Sequence, residues 1–335
     1  MRQIFILFLS SFIFYTSYGQ SFSWSESSGG EGSDQAYAIV TDADANTYVS
    51  GWFSGDAHFG DIILSSEGGK DVFLAKYNAE GEVLWAVKCG GPANNTTAGI
   101  CLDWDNFPII TGWFAEDIHF GETVLESNGS YDMFVARFNN NGDVIWAKSA
   151  GGEGDDYGNR ICTNLEHDVL VAGSFRYTSH FGEEVSISSE GNRDVFIANY
   201  SNTGSFQWVK QAGGEGEDRA YDIISNADGS IYFTGVFNGT ASFDDYQLTS
   251  TSFLSTYIAK MDASGSFLWA KKGSGGANDY ARGYGIAMDS EGYIYSNGCF
   301  SGKLSFDDET VEASGGEYDF DAYLVKYSSN GELKW

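Results

Sequence analysis

The sequence predicts an all-β chain, a β-propeller of four-stranded antiparallel blades, and three observations predict it. Trp24, Trp85, Trp146, Trp208, Trp269 and Trp335 recur at intervals of 61, 61, 62, 61 and 66 residues, with the same landmarks in the same order between them. Glycine numbers 43, proline only 2, and aromatics make up 16 % of the chain. Tight turns joining strands that need their backbone donors have that balance. No stretch sustains a 3.6-residue apolar period, so strands are the repeating element. A four-stranded unit repeated many times most naturally builds radial blades.

The 335 residues suffice for one large or two ordinary domains, and an apolar content of 42 % supports a core. Acidic side chains number 47 against 18 basic ones, a formal net charge of −29. Nucleic acid is thereby excluded as an expected partner, because phosphate binding runs on clustered Lys and Arg. Anionic membrane surfaces are disfavoured for the same reason. The aromatic content argues against disorder.

At the N-terminus, Arg2 precedes an apolar run over residues 4–15, followed by Ser17 and Gly19 before Gln20. Residues 1–19 therefore read as a cleaved signal peptide. The run is shorter than the ~20 apolar residues that span a bilayer, and no transmembrane segment is expected in the mature chain. The mature chain, residues 20–335, reads as one repeat domain. Its units run over about 24–84, 85–145, 146–207, 208–268 and 269–334, and a sixth Trp strand begins at 331.

Within each unit the tryptophan is followed by a double glycine: Gly29-Gly30, Gly90-Gly91, Gly151-Gly152, Gly213-Gly214 and Gly275-Gly276. An apolar run with Ile39, Ile100, Ile161, Ile223 or Ile286 comes next and reads as the first strand. The second is a Gly-x-Phe strand ending at Phe53, Phe114, Phe175, Phe237 or Phe300. After a further Phe (Phe59, Phe120, Phe181, Phe243, Phe306) comes the third strand, as in DVFLAKY from Asp71, with Phe73, Ala75 and Tyr77 on one face. The Trp strand is the fourth. Turn signals such as Asn140-Asn141-Gly142 and Asp228-Gly229 separate them. Because residues 331–335 open another Trp strand, either the sequence is a piece of a longer protein, the favoured reading, which leaves room for more than five blades, or the Trp24 strand closes the last blade and the tail is redundant.

These landmarks resemble the SBBP-type β-propeller repeat: Trp, Gly-Gly, an Ile strand ending in Asp, Gly-Asn-x-Tyr-Val-x-Gly, then Asp-x-Phe-x-Ala-Lys-Tyr. Here the match reads Trp24, Gly29-Gly30, Ile39 to Asp42, Ala45-Asn46-Thr47-Tyr48-Val49-Ser50-Gly51, and Asp71 to Tyr77, and it extends over residues 24–335. Unit four departs with Ser255, Thr256 and Met261. The resemblance implies an extracytoplasmic propeller of bacterial secreted or surface proteins, with no single reaction and no fixed catalytic residues.

Repetition filters the candidate sites, since a residue that returns in every unit reads as scaffold. His58, His119 and His180 share one slot, and His167 has no nucleophile near it, so no triad is indicated. Asp42, Asp103 and Asp289 alternate with Asn164 and Asn226, which suits turn formation. The four cysteines, Cys89, Cys101, Cys162 and Cys299, make no CxxC pair and read as buried small apolar residues, with one or two disulfides left open. The loop after the double glycine carries Glu31, Asp34, Glu153, Asp155, Asp156, Glu215, Glu217 and Asp218. It reads as a solvated acidic rim, or as hard-oxygen ligands for Ca2+. Aromatic and cationic exceptions, Trp52, Trp113, Trp104, Arg176 and Tyr177, are the candidate ligand-binding residues. Arg219 and Arg282 are further irregular cations on an acidic body.

The function expected is an exported, non-enzymatic scaffold for an extracellular protein or glycan, secreted or at the cell surface. Two alternatives stand beside it. One is a secreted carbohydrate-active hydrolase or lyase with acids at the channel mouth, and the other a calcium-stabilised structural propeller.

Overall fold

The computed structural model describes residues 24–315 and 319–335, which form strands, turns and loops with no helix. The signal-peptide reading of residues 1–19 lies outside the described residues. No described helix is long and apolar enough to cross a membrane. The chain is all-β and every sheet pairs antiparallel.

In repeats one to four the four strands read in each unit are present and lie in sequence order. In repeat two they are Asn95–Leu102, Pro108–Phe114, Asp132–Phe138 and Val144–Gly152. In repeat three they are Tyr157–Thr163, Val169–Phe175, Asp194–Tyr200 and Phe206–Gly214. Repeats one and four follow the same plan. Repeat five has Tyr280–Met288, Ile294–Ser301 and Asp321–Tyr327, and residues 333–335 pair on its last edge through the Tyr327–Leu333 bridge and the backbone bonds of Lys326 with Lys334 and Trp335.

The sheets of repeats two, three and four are six-stranded, which corrects the four-stranded blade. The sheet of repeat two continues into the hairpin Thr178–Phe181 and Val185–Ser188, which belongs to repeat three. Repeat three's sheet takes Thr240–Phe243 and Tyr246–Thr249, and repeat four's takes Lys303–Phe306 and Glu309–Glu312. Each of these sheets is thus finished by its successor. The double glycine is what admits the guest hairpin. A Cβ on Gly152 would stand 1.9 Å from the Thr178 carbonyl oxygen, and one on Gly214 would stand 2.0 Å from that of Thr240. The preceding glycine leaves room for a carboxylate, since a Cβ on Gly151 would meet Asp132 Cγ at 2.4 Å.

Both faces of the central strands are buried, because each sheet is stacked between neighbours. Ile161 packs with Ile109, Met133 and Val135 of the preceding repeat, and Ile223 with Leu170, Val195 and Ile197. Ile286 joins Tyr232 and Ile258 in the same way. Burying each such isoleucine contributes roughly 1.5–3 kcal/mol. First strands of successive repeats run beside one another. The repeated tryptophan latches onto the next repeat's turn: Trp85 Nε1 donates to the Asn140 carbonyl at 2.8 Å, and Trp146 Nε1 to that of Asn202 at 2.9 Å. Its ring lies over a turn glycine with positive φ, such as Gly204 at 79°, where a Cβ would come within 2.7 Å of the indole.

Candidate functional site

Three consecutive repeats bring their irregular cations to one place. Arg176 follows strand Val169–Phe175, Arg219 opens strand Arg219–Ser225, and Arg282 lies near the start of strand Tyr280–Met288. Side-by-side first strands carry these positions to the same end of the sheets. Together they line an open cleft of about 580 Å³, with Tyr221, Phe253 and Tyr280. The Phe253 and Tyr280 rings are stacked, with centroids 5.8 Å apart, and Tyr221 lies 5.7 Å from Tyr284.

A fourth arginine supports the cleft from beneath. Arg193 is 2 % exposed; its Nη2 lies 3.1 Å from Asp155 Oδ2 and its Nε 3.7 Å from Glu217 Oε1. Its guanidinium covers the Tyr157 ring at 4.6 Å, and burial pulls its pKa below the ordinary arginine value. Arg219 Nε donates to Glu217 Oε1 at 2.7 Å, and Asn192 Nδ2 donates to Glu217 Oε2 at 2.6 Å. Arg176 lies 3.7 Å from Asp155 and 3.8 Å from Glu217. Arg282 differs. Its partners are the Tyr280 and Tyr284 hydroxyls, and among the described residues no carboxylate pairs with it.

Two carboxylates therefore serve three guanidiniums, and the fourth, Arg282, has none among the described residues. Counting the exposed Glu215 at the rim, the cleft still carries net positive charge, on a chain whose total is −29. Arg176 Nε, Arg282 Nε, and Nε and Nη1 of Arg193 have no hydrogen-bond partner. Guanidinium forks beside aromatic faces suit a planar anion such as a carboxylate attached to a ring. Both Glu217 oxygens are already taken by donors, and no serine or cysteine beside a histidine lines the cleft.

The candidate binding residues do not assemble as one patch. Arg176 reaches the cleft, while Tyr177, 65 % exposed, is not part of its lining. Trp52 is buried under Lys70, whose Nζ sits 3.7 Å from its ring, and Trp113 packs edge-on against Tyr157 at 4.9 Å. Trp104 lies beyond the far end of strand Asn95–Leu102, stacked on His167 at 5.2 Å. His58, His119 and His180 sit exposed on the guest hairpins, opposite Gly29, Gly90 and Gly151.

The acidic loop divides by position. Asp34, Asp156 and Asp218 accept the amides of Gly30, Gly152 and Gly214 at 2.8, 2.9 and 2.8 Å. Asp155 and Glu217 pair with arginine, while Glu31, Glu153 and Glu215 are exposed. Among the described residues no three acidic, histidine or cysteine side chains converge to hold a metal ion. The acids expected to share a calcium site are spread over amide caps, ion pairs and rim. Sequence reasoning missed Arg193, Phe253 and Tyr280. Arg193 stands one residue before the Asp-x-Phe strand, in a slot held by Lys70, Tyr131 and Leu254 elsewhere, and that chemical variation was the available signal.

No family model matches the chain. It is 22 % identical over 250 residues to an uncharacterized WD repeat-containing protein of Acanthamoeba polyphaga mimivirus, covering 63 % of this chain and 18 % of that protein. It is 23 % identical over 241 residues to the regulatory protein FlaEY of Caulobacter vibrioides, covering 68 % of this chain and 24 % of that protein. The chain thus spans about a quarter or less of the curated relatives it matches. Among solved structures, a protein of unknown function from Bacteroides caccae aligns over 90 % of this chain and 81 % of that one, at 10 % identity and a TM-score of 0.42.

Proposed function

We propose that this chain is an exported, non-enzymatic scaffold of the β-propeller type, acting outside the cell or at its surface. Its arginine cleft takes an anionic group carried by a glycan or a protein. The observation that carries the reading is the convergence of Arg176, Arg219 and Arg282 from three repeats beside Tyr221, Phe253 and Tyr280. Successive repeats stacked on both faces, with their first strands adjacent, support the radial arrangement. A −29 body repels anions in general, so a local cationic cleft selects where an anion lands.

The test is a glycan and peptide array probed with the mature chain, followed by titration of the best acidic hit. Acidic saccharides or peptides are expected to bind, salt is expected to weaken them, and Arg219→Ala with Arg282→Ala is expected to abolish binding. Binding only to neutral ligands, or binding that the double variant leaves unchanged, refutes the assignment.

A further inference from the structure

Three features of the arginine cleft narrow its ligand. The first is charge. The guanidiniums of Arg176, Arg193, Arg219 and Arg282 stand against the carboxylates of Asp155, Glu215 and Glu217, an excess of one positive charge. A single carboxylate balances that excess. A phosphate monoester brings about two charges, and a sulfated polymer brings a row of them to a body of −29. The second feature is Phe253, which is 65 % exposed and whose slot in repeats one to three holds Gly69, Ser130 and Asn192. One face of its ring is stacked on Tyr280, with 19° between the planes, so the exposed area includes the other face. A ring so exposed adds little to the core, and among these four repeats it occurs once. The third feature is the balance of donors and acceptors. Both Glu217 oxygens already accept, while Nε of Arg176 and of Arg282 has no partner. A peptide strand would add an N–H donor at nearly every residue to a cleft already rich in donors. A sugar hydroxyl accepts as well as donates.

We infer, resting on the assignment of an anionic ligand to this cleft, that the ligand is a uronate-bearing glycan. The ring carboxylate pairs with Arg282, which has hydroxyl partners and no carboxylate among the described residues, and Arg219 is the second cation. The apolar C–H face of the sugar ring lies on the open face of Phe253. A hexuronate carries its carboxylate directly on the ring, so a single sugar residue meets guanidinium and aromatic face within one cleft of about 580 Å³.

The experiment is calorimetric titration of the mature chain with tetramers of galacturonate, glucuronate and mannuronate, and with their methyl esters. A sulfated neutral tetrasaccharide and tetraglutamate are the competing anions. At least one uronate tetramer is expected to bind about tenfold or more tightly than either competitor, and its methyl ester is expected to lose that binding. Phe253→Ala is expected to weaken the uronate about tenfold and to leave tetraglutamate unchanged, whereas Arg282→Ala weakens both. Circular dichroism melts matching the parent show that each variant folds. Uronates that bind no tighter than the competitors overturn the inference. So does a methyl ester that binds as well as the acid, or a Phe253→Ala variant that holds the uronate as the parent does. In those cases arginine-dependent binding of tetraglutamate or the sulfated sugar still upholds the ligand assignment. A chain that binds no anion loses both, so the two fail distinguishably.

Discussion

The Asp218 carboxylate, 1 % exposed, accepts the Gly214 amide at 2.8 Å across a four-residue loop. Asp156 repeats the arrangement with Gly152 at 2.9 Å and adds the Ser179 hydroxyl. Burial pushes both carboxyls up, to about 7, against an ordinary 3.8. Between those two values the folded chain holds protons that the unfolded chain has lost. The stability they contribute is complete below about 4 and is given up as pH climbs through about 7. Asn95 fills the same slot in repeat two without a charge, and is fully buried. Asp156→Asn with Asp218→Asn should therefore fold, and its melting temperature relative to the parent should rise with pH across that window. A difference that stays flat from acid to neutral pH would count against the shifted carboxyls.

The guest hairpins rest on Gly30, Gly91, Gly152 and Gly214, the second glycine of the pair, and in the last case on Gly275, the first. Gly152→Ala would place a methyl 1.9 Å from the Thr178 carbonyl oxygen, so strand Thr178–Phe181 must move away. A loss of about 1–3 kcal/mol is expected in urea unfolding. Gly121→Ala is the contrast, because its Cβ would meet nothing within 4 Å and only its φ of 59° opposes it. That variant should cost about 1–2 kcal/mol, and Gly152→Ala with an added deletion of residues 178–188 should cost little more than the deletion alone. Strict additivity of the two changes would show that the glycine serves something other than the hairpin.

The periodic tryptophans and the alternation of Phe134, Ala136 and Phe138 made the four main strands legible, since the alternation is a local pattern of period two and the tryptophans mark each return of the repeat. The hairpins were not legible. Strand Asp117–Phe120 is four residues long and, among the described residues, pairs with Thr123–Glu126 and with Gly90 just past strand Val83–Cys89, so its second partner is non-local. The cleft was half legible. Arg176, Arg219 and Arg282 stood out as exceptions, but their meeting depends on the rotation between repeats, which no single repeat encodes. Trp52 and Trp113 read two ways for a related reason: a residue type that binds sugars also packs between sheets.

Arg282 and Arg193 should behave oppositely. Arg282 has hydroxyl partners and no carboxylate among the described residues, so Arg282→Ala leaves no buried acid unpaired. It should weaken an acidic ligand by about tenfold or more, with melting temperature unchanged. Arg193→Ala removes a buried cation shared by Asp155 and Glu217, and should cost about 3–5 kcal/mol of stability. Equal stability losses in the two variants would erase the distinction between binding and supporting arginines.

The four cysteines are free thiols in the structure, and their burial makes a chemical prediction. Cys89 is 1 % exposed, and burial followed by the Asp71 charge drives its pKa well above the ordinary thiol value. Cys162 is pushed up to about 12 by burial, and Cys101 is raised by burial and by its neighbour Cys162. A thiol attacks as its thiolate, so these three should resist an aromatic disulfide reagent at mildly alkaline pH while the chain is folded. Cys299, half-buried as Cys101 and Cys162 are, is where native labelling is expected first. In denaturant without reductant, intact mass after alkylation should show all four thiols modified. Two thiols that alkylate only after reduction would instead reveal a disulfide. Cys101 and Cys162 share a slot in adjacent repeats, so peptide mapping of that pair is the direct check.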